Sequence, residues 1–91
     1  KLLPERARVH YNLGLALQQS GKRKEAERAF ADAARLDPRD AAAPYALALL
    51  LAQDKRWKDA LGWAERMQAA DPGNPQAAQL VERLRVEAGR S

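Results

Sequence analysis

Few residues in this chain could carry out covalent chemistry. The only histidine is His10, the only serines are Ser20 and Ser91, and cysteine is absent. A hydrolytic triad needs a nucleophile beside its base, and a structural zinc site needs several Cys or His ligands. Asp37 and Asp40 lack the ligand run of a calcium loop. The sequence therefore predicts a chain that is not an enzyme and uses no metal and no cofactor.

Residues suited to binding recur at a fixed distance instead. One constant shift along the chain pairs Tyr11 with Tyr45, Leu15 with Leu49, and the dipeptide Asp37-Pro38 with Asp71-Pro72. We call this shift the repeat period. Self-similarity of this kind is typical of stacked supersecondary units that present a continuous surface.

The composition indicates that these units are helical. Apolar residues make up 46% of the chain but aromatic residues only 5%, and Ile and Thr are absent, which is typical of helices rather than strands. Proline cannot continue a helix, so Pro38 and Pro72 turn the chain back. The predicted helices lie near residues 5–19, 23–36, 41–54, 57–70 and 75–88.

Apolar spacing predicts which side of each helix is buried. We expect the core-facing stripes of the first two helices to consist of Val9, Leu13, Ala16 and Leu17, and of Ala26, Ala29, Phe30, Ala33 and Leu36. Ser20-Gly21 ends the first helix. Asp40 is expected to cap the third helix, and Asn74 followed by Pro75 the fifth.

These features together resemble the tetratricopeptide repeat, a helix-turn-helix unit of about 34 residues. The matching residues are Leu13, Gly14, Ala26, Phe30, Ala33 and Pro38 in the first repeat, and Leu47, Ala48, Ala60, Ala64, Met67 and Pro72 in the second. His10 and Pro44 stand where the family favours Trp, Lys55 replaces the usual turn glycine, and Ala64 is smaller than usual. Trp57 and Trp63 are expected to fill that missing volume.

The resemblance implies an all-α fold, a right-handed α-α superhelix. We expect a single domain over residues 1–91, with one repeat at 7–40, a second at 41–74 and a capping helix at 75–88. The domain is expected to be a piece of a longer protein.

The resemblance also implies a function: a non-catalytic module that binds a partner peptide or protein in a groove lined by the first helix of each repeat. The predicted groove residues are Arg8, Tyr11, Asn12, Leu15, Gln19, Tyr45, Leu49, Gln53, Gln79 and Arg83. The alternative for the two tyrosines and two leucines is packing between adjacent first helices, which would make them core.

One subfamily binds the C-terminal carboxylates of chaperones through a clamp of Lys, Asn and Arg. The corresponding positions here are Tyr11, Leu15, Ala46, Gln76 and Leu80, so this partner is disfavoured. A second candidate surface is a basic edge formed by the turns between helices, which could attract an acidic segment or could merely solubilise the chain. Its residues are Lys22, Arg23, Lys24, Lys55, Arg56 and Lys58.

The sequence also bears on nucleic acid, membranes and copies of the same chain as partners. No aromatic platform accompanies the basic residues, so nucleic acid is not expected, and no apolar run reaches the roughly 20 residues of a membrane span. Self-association through terminal helix faces is one alternative. Another is a purely structural role, as the end of a longer solenoid or a domain appended to a bacterial enzyme or multihaem cytochrome. The compartment is unknown, with bacterial cytoplasm or periplasm expected, since a chain without cysteine carries no redox signal.

Overall fold

The computed structural model describes the backbone of residues 4–90 and the side chains of residues 6–90. Within this range the chain forms five helices and no strand, which confirms the predicted all-α fold. The helices are α1 (Pro4–Gln19), α2 (Arg23–Leu36), α3 (Ala42–Gln53), α4 (Trp57–Ala70) and α5 (Pro75–Arg90). Each helix packs on the next one along the chain. We call α1 and α2 the first unit, and α3 and α4 the second unit. The predicted repeat boundaries, 7–40 and 41–74, stay a prediction, and residues 1–3 and Ser91 lie outside the described residues.

The turn inside each unit has the same backbone conformation. Gly21 has a φ of 80°, and Lys55, its counterpart one repeat period later, has a φ of 60°. In both turns the amide of the following residue donates to the carbonyl five residues before it, at N–O distances of 2.9 and 3.0 Å. This hydrogen bond closes a Schellman motif, in which a left-handed residue satisfies the last carbonyls of the helix.

The turns after α2 and α4 also match each other. Pro38 and Pro72 follow the last residues of these helices, as expected from their missing amide hydrogen. The Oδ1 of Asp40 accepts from the amide two residues later at 3.2 Å, and the Oδ1 of Asn74 does the same at 2.9 Å. Both predicted caps are therefore confirmed.

The core consists of small and aliphatic side chains that link consecutive helices. Phe30 is fully buried, and Gly14 lets α1 approach its ring closely. No polar or charged side chain is buried in the part of the chain whose side chains are described. The buried clusters are Ala26, Phe30, Leu47 and Leu50; Ala33, Ala34 and Ala43; and Ala48, Leu51, Ala60, Ala64, Val81 and Leu84.

The expected core stripe of α1 is wrong for three of its four residues. Val9 is 64% exposed and Leu13 is 48% exposed, and Ala16 is exposed as well, while Leu17 is half-buried. Among the described residues, Leu17 packs against the cluster of Ala26 and Phe30, whereas Val9, Leu13 and Ala16 stay open to solvent. Helical spacing correctly identified an apolar side of α1, but it does not show whether a neighbouring helix covers that side.

The tryptophans of α4 supply volume next to Ala64, as expected. Trp57 and Trp63 both pack against the cluster that contains Ala64. Trp63 also packs against the two clusters that include residues of α2 and α3. Its outer face is covered by Arg66, whose guanidinium carbon lies 4.5 Å from the ring centroid, a cation–π geometry.

Candidate functional site

The ten predicted groove residues lie on α1, α3 and α5, the helices that begin each unit and end the chain. We call this surface the first-helix face. All of its members except Tyr11 are exposed. It consists of Arg8, Tyr11, Asn12, Leu15 and Gln19 on α1, Tyr45, Leu49 and Gln53 on α3, and Gln79 and Arg83 on α5.

The middle of this face is apolar and open to solvent. Tyr45 and Leu49, one helical turn apart on α3, are 40% and 37% exposed, while Leu47 and Ala48 between them are fully buried. On α1, Leu15 is also 37% exposed. Exposed apolar side chains that lie together on a surface, with polar groups around them, are typical of interaction sites.

Tyr11 differs from Tyr45 although the two are related by the repeat period. Tyr11 is half-buried, and its ring centroid lies 5.7 Å from that of Phe30 with a tilt of 54° between the planes. This is an offset aromatic contact that contributes to packing. Tyr11 therefore belongs in part to the core, and Tyr45 is the more accessible tyrosine.

Polar residues border the apolar centre. Arg8 lines a cavity of about 210 Å³ together with Tyr11 and Asp37, between α1 and the start of α3. At the other end of α3, the Oε1 of Gln53 accepts a hydrogen bond from the Nη1 of Arg23 at 3.1 Å. The face thus offers apolar contact, amide hydrogen bonds and two guanidinium groups.

The larger cavities lie elsewhere. One of about 430 Å³ lies between α2 and α4, beside Trp63, and another of about 370 Å³ lies between α1 and α2, beside Leu13. Neither is lined by Leu15, Tyr45 or Leu49. A shallow surface suits a protein segment better than a small molecule, because small molecules bind in concave pockets that bury most of the ligand's surface.

Arg23, which was predicted to belong to the basic edge, bridges the two units. Its Nη2 lies 2.7 Å from the Oδ1 of Asp54 and donates to the carbonyl of Leu50 at 3.0 Å. Because Arg23 begins α2 and Asp54 follows the last residue of α3, this ion pair joins the turn of the first unit to that of the second.

Arg56 makes a second bridge in the same region. Its Nη1 lies 2.9 Å from the Oε1 of Glu27 on α2, and its Nη2 lies 3.0 Å from the Oδ2 of Asp59. The hydrogen bond to Glu27, followed by that to Asp59, raises the pKa of Arg56 above its ordinary value. The sequence analysis did not identify Glu27 as a partner of Arg56, because the two residues lie 29 positions apart.

The lysines of the basic edge are exposed. Lys22, Lys24, Lys55 and Lys58 lie in or beside the same two turns, which the contacts of Arg23 hold next to each other. The six basic residues therefore divide into two arginines that tie helices together and four lysines that face solvent.

Catalytic and metal-binding groups do not converge in the described part of the chain. His10 is half-buried and lines the cavity beside Leu13, and Ser20 is exposed in the turn after α1. Among residues 4–90, no group of three or more His, Asp or Glu is placed to hold a metal ion. Over the same residues, no helix is both long and apolar enough to cross a membrane.

Comparison with known proteins agrees with the helical geometry. A comparison with curated proteins finds no match. The family model described as the tetratricopeptide repeat matches residues 11–75, which is more than half of the chain. Members of this family generally mediate protein–protein interactions. On the basis of this match and of the five-helix fold, the chain belongs to the tetratricopeptide repeat family.

Proposed function

We propose that this chain is a non-catalytic module that binds an extended or helical segment of a partner protein on the first-helix face. The observation that carries the proposal is the exposure of Tyr45 and Leu49 at the centre of that face. A large aromatic and a large aliphatic side chain, adjacent and accessible, are the kind of residues that act as binding hot spots.

The mechanism rests on a surface that is ordered before the partner arrives. The buried clusters and the two arginine bridges hold α1, α3 and α5 in place, so binding does not have to order the receptor. The partner then removes Tyr45, Leu49 and Leu15 from water, and the amides around them fix its position by hydrogen bonds. The face carries no nucleophile with a base beside it, which supports binding rather than catalysis.

The test is a matched comparison of leucines. A peptide would be selected from a random library for binding to the 91-residue chain, and its Kd measured by calorimetry against single variants. Tyr45→Ala and Leu49→Ala should each raise the Kd by about 30-fold, the size expected for a hot spot of about 2 kcal/mol. Leu13→Ala makes the same chemical change at an exposed leucine outside the first-helix face and should leave the Kd unchanged.

Two results would contradict the proposal. Equal losses from Leu13→Ala and Leu49→Ala would mean that the first-helix face is not the binding site. A Tyr45→Ala variant with a much lower Tm and an unchanged Kd would mean that Tyr45 stabilises the fold instead. The salt dependence separates this site from the basic edge, because binding through exposed lysines weakens steeply with salt whereas an apolar contact does not.

A further inference from the structure

The exposed side of α1 has two counterparts in the chain, and both are buried. We call Val9, Leu13 and Ala16 the α1 end face. Their counterparts one and two repeat periods later are Ala43, Leu47 and Leu50 on α3, and Ala77, Val81 and Leu84 on α5. All six counterparts are buried, whereas Val9 and Leu13 are 64% and 48% exposed.

In each buried case the cover is the second helix of the preceding unit. On α3, Leu47 and Leu50 pack with Ala26 and Phe30 of α2. On α5, Val81 and Leu84 pack in the cluster that contains Ala60 and Ala64 of α4. The covering helix therefore presents a small residue at one position of its buried side, with a further apolar residue one turn later.

The cavity of about 370 Å³ on the first unit also has a counterpart on the second unit. It is lined by residues of α1 and α2, and most of these have counterparts, one repeat period later, that line the cavity of about 430 Å³ on the second unit. The shared positions are Leu17, Lys24, Glu25, Arg28, Ala29 and Asp32 in the first unit, and Leu51, Lys58, Asp59, Gly62, Trp63 and Arg66 in the second. In the second unit, Glu27 of the preceding α2 borders the cavity and pairs with Arg56.

Proline spacing adds an independent sequence observation. Pro4, Pro38 and Pro72 follow one another at intervals of one repeat period. Pro38 and Pro72 each lie in the turn between a second helix and the next first helix. Pro4, at the start of α1, thus occupies the register of such a turn, directly before the α1 end face.

The opposite end of the molecule has a different character. The counterparts of buried Ala48 and Leu51, one repeat period later, are Glu82 and Arg85 on α5, both exposed and paired at 3.3 Å. Stacking a second copy head to tail would bury this ion pair against Val9 and Leu13, which desolvates charges without new partners. A second copy is therefore a poor occupant of the α1 end face.

We propose that the α1 end face is the docking surface for a helical hairpin of the same repeat type, carried on the N-terminal side of the same polypeptide. The second helix of that hairpin covers Val9 and Leu13 with a small residue and an apolar residue one turn later, as α2 covers α3 and α4 covers α5. This surface is separate from the first-helix face, so the proposal goes beyond the binding function and does not depend on it.

The test adds such a hairpin and asks whether the α1 end face becomes buried. A copy of residues 41–74 would be joined directly to Ala7, which keeps the repeat period, and compared with the 91-residue chain. Because cysteine is absent, Val9→Cys introduces a single thiol whose reaction with a maleimide reports exposure. We expect labelling at Val9→Cys to slow at least about 10-fold in the fusion, as a thiol that leaves the surface requires local opening to react. Val86 is exposed on α5, so Val86→Cys should react equally fast in both proteins.

A charge substitution gives a second readout. Leu13→Asp should lower the Tm by only about 2–4 °C in the 91-residue chain but by more than about 10 °C in the fusion, where it buries a carboxylate. Val86→Asp is the control, because Val86 is as exposed as Leu13, at 48%, and lies on the far helix. Unchanged labelling and equal Tm shifts in the two proteins would overturn the proposal. So would a 91-residue chain that dimerises in sedimentation and becomes monomeric with Leu13→Asp, since a second copy would then be the occupant.

Discussion

Gly14 is the position where the helices of the first unit come closest. A Cβ at Gly14 would lie 2.6 Å from two ring carbons of Phe30, and that ring is fully buried. We therefore expect Gly14→Ala to lower the free energy of unfolding by about 1–3 kcal/mol, the usual range for overpacking. Urea denaturation followed by circular dichroism measures the change.

Gly62 provides the matched control for this substitution. It lies within α4, and a Cβ there would meet no atom within 4 Å. Gly62→Ala should raise the free energy of unfolding by roughly 0.5–1 kcal/mol, because alanine is the better helix former. If both substitutions shift stability in the same direction, the close contact between Gly14 and Phe30 is not what limits packing.

Lys55 has the backbone conformation that Gly21 adopts in the first unit. A left-handed φ costs a residue with a Cβ about 1–2 kcal/mol, whereas glycine avoids this strain but loses more backbone freedom on folding. The net expectation is that Lys55→Gly raises the free energy of unfolding by up to about 1 kcal/mol. Gly21→Ala should lower it by a similar amount. Thermal unfolding of both variants measures the effect, and a destabilised Lys55→Gly chain would show that the lysine side chain contributes more than the strain removes.

Much at this scale could be predicted from the sequence. Proline and the Asx caps act on their own neighbours, so the helix ends, and the capping by Asp40 and Asn74, followed from local residue chemistry. The exposure of Val9 and Leu13 could not be predicted in this way. Their spacing is that of a buried stripe. Whether the stripe is buried depends on the presence of another helix beside it, and the periodicity within α1 does not reveal this.

At the scale of elements, the junction between the units depends on Arg23. It links the start of α2 to the end of α3 through Asp54 and the Leu50 carbonyl, yet the two charged side chains are 38% and 40% exposed. Solvent screening therefore limits the ion pair. In a double-mutant cycle with Arg23→Gln and Asp54→Asn, we expect a coupling of about 0.5 kcal/mol that decreases with salt.

The pair formed by Arg35 and Asp32 is the control for this cycle. It lies within α2, three residues apart, and joins no two elements. Its coupling should be no larger than about 0.5 kcal/mol, and its loss should leave the contact between the units unaffected. A cycle for Arg23 and Asp54 that gives no coupling at low salt would mean that the bridge does not stabilise the junction.

The sequence analysis assigned these arginines to the correct turns but did not identify their partners. Arg23 and Arg56 were grouped with lysines as a basic edge, since adjacent positive charges in a turn are visible in the sequence. Their partners Asp54 and Glu27 lie 31 and 29 residues away. A pairing at that separation depends on how one unit is rotated against the next, and local patterns do not encode this rotation.

At the scale of the whole molecule, α5 covers one side of the second unit. Val81 and Leu84 share a buried cluster with Leu51 and Ala60, so removing α5 would expose the second unit. In a stack of repeats, stability is approximately the sum of each unit and its contacts with neighbours. We expect a chain truncated after Asn74 to unfold at a Tm lower by at least about 10 °C, or to be unfolded at about 25 °C.

The matching control for truncation keeps α5 and changes only its exposed side. Val86→Ser removes apolar surface that is already open to solvent, so the Tm should fall by no more than about 3 °C. Differential scanning calorimetry compares the three proteins. A truncated chain that melts like the full one would show that the first two units are stable without a cap.

The polar outer side of α5 also bears on how this molecule behaves when it is concentrated. Open-ended fibres grow only where each subunit offers two surfaces that fit one another, so that every addition leaves a fresh end for the next. Because Glu82 and Arg85 are charged, the α5 end does not provide the second of those surfaces. The α1 end of one copy then meets no matching surface on the next, so the apolar end of the chain stays available for specific assembly without a route to polymerisation.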